Sequence, residues 1–139
     1  MSVNLDSMDL LIIEDNPGDV VLAKEILSQV ERPVSIRVAE DGETALSMLD
    51  EHLPNMVLLD LNLPRISGQD VLRAIRENPK SHAGPVIVFS TSDAERDVVA
   101  AYDGGANCYI TKPVDLDRFF KVVRSIENFW LDVVRLPAS

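Results

Sequence analysis

Asp9-Leu-Leu-Ile-Ile-Glu-Asp-Asn-Pro17 is a short aliphatic run that breaks off into two acids, an asparagine and a proline. Four apolar residues without polar alternation read as a strand covered on both faces. Asn is a favoured helix N-cap and Pro suits the first helical position, so a helix starts here. The unit is strand, acidic turn, helix. Val20, Ala23, Leu27 and Val30 then repeat at helical spacing.

The same unit recurs along the chain. Val34-Ser-Ile-Arg-Val38 alternates, as an edge strand open to water on one face does. Asp41-Gly42-Glu43 can cap a second helix carrying Ala45, Leu46 and Leu49. Met56-Val-Leu-Leu59 is a buried strand, and Gly68 to Asn78 a third helix with Val71, Leu72 and Ile75 inward. Val86-Ile-Val-Phe89 is a β-branched fourth strand. Ser92-Asp-Ala-Glu95 has the form of a capping box for a fourth helix, which Gly104-Gly105 stops. Cys108-Tyr-Ile110 is a short fifth strand, and a long helix follows from Leu116 to about Leu136. This alternation predicts an α/β domain with a mostly parallel five-stranded sheet and helices on both faces.

Composition narrows the function classes. The 139 residues suit one domain, and 46% hydrophobic content is too apolar for a disordered chain. With 13 Lys plus Arg against 23 Asp plus Glu, the formal charge is −10, which argues against nucleic acid or an anionic membrane as partner. Cys108 stands alone, so neither an intrachain disulfide nor a zinc cluster is expected, in keeping with a cytoplasmic protein. The N-terminus lacks the blocks of a signal peptide, and no apolar run approaches membrane-spanning length.

Ligands of open α/β sheets bind outside the carboxyl ends of the strands. Glu14 and Asp15 follow the first strand and Asp60 the third. If those strands are neighbours, three carboxylates converge, and mutual repulsion favours a hard divalent cation between them, for which Mg2+ is suited. The plainer account is three solvated acids on exposed loops. Ser90-Thr91-Ser92 after the fourth strand offers hydroxyls, and Lys112 after the fifth offers an ammonium that binds phosphoryl oxygens as a point charge. Each has its own plain reading, as a cap, a solvated hydroxyl or a surface lysine.

Glu14-Asp15, Asp60-Leu-Asn-Leu-Pro64, Gly68, Ser90-Thr91, Tyr109 and Lys112-Pro113, in that order, resemble the receiver domain of response regulators. The likeness runs from about Asp9 into the last helix. Glu-Asp-Asn-Pro-Gly-Asp at 14–19, Ala-Asn-Cys-Tyr-Ile-Thr-Lys-Pro-Val-Asp at 106–115 and Phe-Trp-Leu at 129–131 are similar to the stand-alone regulators paired with phytochrome histidine kinases. The resemblance implies strand order 2-1-3-4-5 and a single receiver domain over 1–139 without an output domain. It implies Asp60 as phosphoacceptor for a kinase phosphohistidine, and Mg2+ held by Asp15, Asp60 and the Asn62 backbone carbonyl, with Glu14 acting through water. Lys112 and Ser90 would face the phosphoryl group, the bond to Pro113 would be cis, and Tyr109 would swing inward as a switch. Glu14 in place of the commoner aspartate and Thr91 in place of a smaller residue depart from the family pattern.

Other readings stay in view. An aspartate-nucleophile phosphatase usually needs a second acid where Asn62 stands, and Glu14-Asp15 would repel the FMN phosphate of a flavodoxin. A docking module working without phosphorylation would not need Asp60 and Lys112 intact. His52 and His82 lack metal-ligand partners and read as surface residues, Cys108 as a small core thiol, and Arg65, Arg73 and Arg76 equally as a partner-facing basic patch or a solvated helix face. In the last helix Leu116, Phe119, Val123, Ile126, Trp130 and Val133 form a stripe for the sheet. Phe120, Phe129, Leu131, Val134 and Leu136 lie off it, so a homodimer through Tyr109, Phe120, Phe129, Trp130 and Val134 is expected.

Overall fold

The computed structural model describes residues 8–29, 33–112 and 116–127. Five strands and five helices alternate: β1 (Met8–Ile13), α1 (Pro17–Leu27), β2 (Val34–Ala39), α2 (Gly42–Glu51), β3 (Met56–Asp60), α3 (Gly68–Glu77), β4 (Val86–Ser90), α4 (Glu95–Asp103), β5 (Cys108–Thr111) and α5 (Leu116–Glu127). The strands form one parallel sheet in the order β2-β1-β3-β4-β5, as expected. Among the described residues, no helix is long and apolar enough to cross a membrane.

Period-two alternation sends neighbouring strand residues to opposite faces, and both faces are covered. Leu11, Ile13, Leu59 and Val88 pack with Leu49, Val71, Leu72 and Ile75 on the α2–α4 side. Leu10, Ile12, Leu58, Ile87 and Phe89 pack with Ala23, Ile26, Leu27 and Phe119 of α1 and α5. The Phe89 and Phe119 rings lie 5.9 Å apart between centroids. β2 sits at the sheet edge, and its residues before Ala39 are only partly buried or exposed.

Register places the strand ends level. Ile13 lies opposite Leu59, Asp60 opposite Phe89, and Ser90 opposite Thr111. The residues that follow β1, β3 and β5 therefore emerge on one edge of the sheet.

Capping explains most helix starts. Asn16 accepts from the Gly18 and Asp19 amides at the head of α1, and Asp41 accepts from Thr44 at the head of α2. The expected capping box at Ser92–Glu95 does not form. Helix α4 begins at Glu95 with Ala94 as N-cap and no side-chain cap bond. Ser92 lies too early in the turn, where its hydroxyl donates to Asp97 at 2.5 Å and accepts from the Ala94 amide. The capping box stands instead at α3, between Ser67 and Asp70.

Arg76 also departs from expectation. It is not on a solvated face: its guanidinium donates to the carbonyls of His82, Gly84 and Gly105 and to Asn107 Oδ1. Its arms bind the end of α3 to the loops before β4 and β5. Cys108 is half-buried rather than buried, because β5 is the other sheet edge. Of the expected α5 stripe, Phe119 is fully buried, while Trp130 and Val133 lie outside the described residues, as does Val30 of the α1 stripe.

Candidate functional site

Glu14 leaves β1 with its amide bonded to the Ala39 carbonyl, which turns its side chain into the sheet edge, where it is buried. Asp15 is exposed, and Asp60, the last residue of β3, is buried. Carboxylate oxygens of the three lie within 4.8 Å of one another. Two of these acids are thus held in low dielectric at close range, a costly arrangement unless a cation compensates.

Lys112 supplies one. Its ammonium reaches Glu14 Oε1 at 2.6 Å and Asp19 Oδ2 at 2.8 Å, and stands 3.8 Å from Asp60 Oδ2. Burial, together with the neighbouring Asp60, pushes the Glu14 carboxyl up to about 7 against the opposing pull of Lys112. Burial alone would lower Lys112, but Asp19, Glu14 and Asp60 outweigh it and hold the ammonium above its ordinary value. Lys112 also lies 5.5 Å from the centre of the Phe89 ring.

The β3–α3 loop closes over Asp60. The Asn62 amide donates to Asp60 Oδ1 at 3.2 Å, and the Gly68 amide to the Leu61 carbonyl at 3.0 Å. A Cβ on Gly68 would stand 2.4 Å from the Asp60 carbonyl oxygen and 2.5 Å from Leu61 Cα, so only glycine fits there. Arg65 in this loop adopts φ +66, held by ion pairs to Asp41 and Glu43 at the start of α2.

Ser90 is fully buried at the end of β4, and its hydroxyl oxygen accepts the Ser92 amide at 3.2 Å. Tyr109 is turned inward, with its ring in the α2–α4 core and its hydroxyl donating to the Ser92 carbonyl. This leaves the Tyr109 ring little surface to offer a second copy of the chain. Phe120 is partly buried against the α1–α5 core. Pro113, Phe129, Trp130 and Val134 lie outside the described residues. A cleft of about 360 Å³ opens beside the acids, between Leu22 and Ile26 of α1, Phe89, Thr91, Asp19 and Lys112.

The fold thus brings together Glu14, Asp15, Asp60 and Lys112, with Asn62 beside them and Ser90 at the neighbouring strand end. Asp19 was missed by the sequence reading, which took Asn16-Pro17 only as a helix start. Its signal was its position two residues after Pro17, in the first turn of a helix that begins at the acidic edge.

A parallel sheet of this order, with carboxylates at its central strand ends and a lysine after the fifth, defines a response regulator receiver domain. The chain belongs to that family, whose match spans residues 10–124. It is 39% identical over 137 residues to Response regulator Rcp1 of Synechocystis sp., covering 94% of this chain and 93% of the relative. The solved Mn2+-bound form of Rcp1 superposes with a TM-score of 0.77 over 94% of this chain and 99% of that one. The phosphorylated cyanobacterial phytochrome response regulator RcpA is 37% identical, with a TM-score of 0.79 over 95% of this chain and 99% of that one. The probable methanogenesis regulatory protein FilR2 of Methanothrix harundinacea is 34% identical over 99% of this chain and 98% of its own length. This is a response regulator related to the phytochrome response regulators, a protein of two-component signalling.

Proposed function

We propose that Asp60 accepts a phosphoryl group from the phosphohistidine of a sensor kinase. The carrying observation is the buried Asp60 carboxylate set among Glu14, Asp15 and Lys112 at the carboxyl edge of the sheet. An Asp60 oxygen attacks phosphorus, the new P–O bond forms as the P–N bond breaks, and the electron pair returns to the imidazole nitrogen. Lys112 and the Ser90 hydroxyl face the transferred oxygens. Water later attacks the same phosphorus, and Asp60 leaves as carboxylate.

The three carboxylates are hard oxygen donors at a shallow edge with one acid exposed, which suits Mg2+. Asp15, Asp60 and the Asn62 carbonyl would hold it, with Glu14 acting through water. When bound, it supplies positive charge to the phosphoryl oxygens. The relatives support a phytochrome-type histidine kinase as donor, met in the cytoplasm. The apolar residues of the expected last helix, from Leu116 to about Leu136, support a homodimer through Phe120, Phe129, Trp130 and Val134. Sedimentation of wild type and of Phe129→Asp with Trp130→Asp tests it: a monomeric wild type, or a dimer that survives both changes, rules that interface out.

Acetyl phosphate with Mg2+ tests the acceptor. Wild type gains one acid-stable, base-labile phosphoryl group, and Asp60→Asn, which keeps the shape but loses the nucleophilic charge, gains none. Full labelling of Asp60→Asn refutes the assignment.

A further inference from the structure

An ammonium has three N–H donors. In this structure Lys112 commits contacts to Glu14 at 2.6 Å and Asp19 at 2.8 Å, while Asp60 stands at 3.8 Å, beyond hydrogen-bond reach. The lysine is thus drawn toward β1 and α1 rather than toward the acceptor carboxylate. Glu14 is buried with it. Asp19 differs: it sits in the first turn of α1, its side chain is 34% exposed, and it forms one wall of the cleft beside the acids.

Two features hold Asp19 in place. Asn16 Oδ1 accepts the amides of Gly18 and Asp19, which fixes the turn that carries the carboxylate. The N-terminal end of a helix also favours a negative side chain. We infer that Asp19 is a positioning residue that restrains Lys112 away from Asp60 and so lengthens the life of the aspartyl phosphate. This rests on Asp60 as phosphoacceptor and adds a residue outside the carboxylate triad. The physical content is competition: a phosphoryl oxygen on Asp60 and the Asp19 carboxylate draw on the same ammonium. Neutralising Asp19 leaves Lys112 free to settle on the phosphoryl group, where its charge stabilises the transition state for attack by water.

The test is a double-mutant cycle. Asp19→Asn, Asp19→Glu, Lys112→Met and the Asp19→Asn/Lys112→Met pair are labelled with acetyl phosphate and Mg2+, and the decay of the label is followed after the donor is removed. Asp19→Asn speeds decay about three- to fivefold, the scale of a partly exposed ion pair. Asp19→Glu keeps the charge and decays nearly as wild type does. In the Lys112→Met background Asp19→Asn changes nothing, because the effect passes through the ammonium. Unchanged or slower decay in Asp19→Asn, or an equal acceleration with Lys112→Met, overturns the inference. Melting of the same four proteins and wild type in chelator gives a second cycle without phosphoryl chemistry. Non-additive shifts support the Asp19–Lys112 coupling, and additive shifts refute it. Labelling of Asp60→Asn would defeat the phosphoacceptor reading and leave this melting cycle standing, so the two failures are distinguishable.

Discussion

The Tyr109 hydroxyl donates to the Ser92 carbonyl at 2.7 Å, joining β5 to the turn that follows β4. The Tyr109 amide in turn donates to the hydroxyl of Tyr102 on α4 at 3.1 Å. Strand β5, the β4–α4 turn and helix α4 are thereby linked through one residue that is only 7% exposed.

Tyr109→Phe removes that bond while keeping the ring. Stability should fall by about 1 kcal/mol, the usual net worth of such a bond. Urea unfolding measures it. A variant as stable as wild type would mean that the Ser92 carbonyl finds another partner without loss.

Metal binding should depend on Asp15. Mg2+ raises the melting temperature by binding only the folded chain, and Asp15→Asn abolishes most of that rise. Because Asp15 is exposed, the change leaves no buried orphan, and the metal-free variant melts at or above wild type. An undiminished Mg2+ effect would place the ion elsewhere.

Gly68→Ala sets a methyl group against the backbone of Asp60 and Leu61. Backbone cannot yield as a flexible side chain does, so the cost is about 1–3 kcal/mol, the range for overpacking. Thermal melting checks it, and phosphoryl labelling of the folded variant should be slowed with it. A neutral substitution would show that the loop relaxes freely.

Arg76→Met strips charge-assisted donors from the carbonyls of His82, Gly84 and Gly105. The expected loss is about 2–4 kcal/mol. Arg76→Lys should not restore it, since one ammonium cannot serve acceptors spread over two loops. Rescue by lysine would mean that charge alone matters there.

Much of this was legible in the sequence because burial on both sheet faces leaves plain traces. The runs before Glu14, Asp60 and Ser90 are continuous and apolar, and each ends where a strand ends. Once those ends are known, the acids fall together from topology. What stayed hidden depends on a side chain reaching across the fold. Asp19 and Lys112 are 93 residues apart, and Arg76 meets acceptors on two loops. At α4 a local pattern misled: Ser92 and Glu95 have capping-box spacing, but the turn is also held by Tyr109 from β5, and the helix starts later. At α3, Ser67 and Asp70 form the box with aspartate where glutamate is the usual signal.

Glu14 and Lys112 touch across 98 residues of chain, and Glu14 and Asp60 arise from separate strands. No short fragment that carries one of these groups carries the whole constellation. An unfolded or half-folded molecule therefore has scattered acids and a wandering lysine, with nothing to distinguish Asp60 from any other aspartate. With Asp60 as the proposed acceptor, phosphoryl transfer would require the intact fold that assembles these groups.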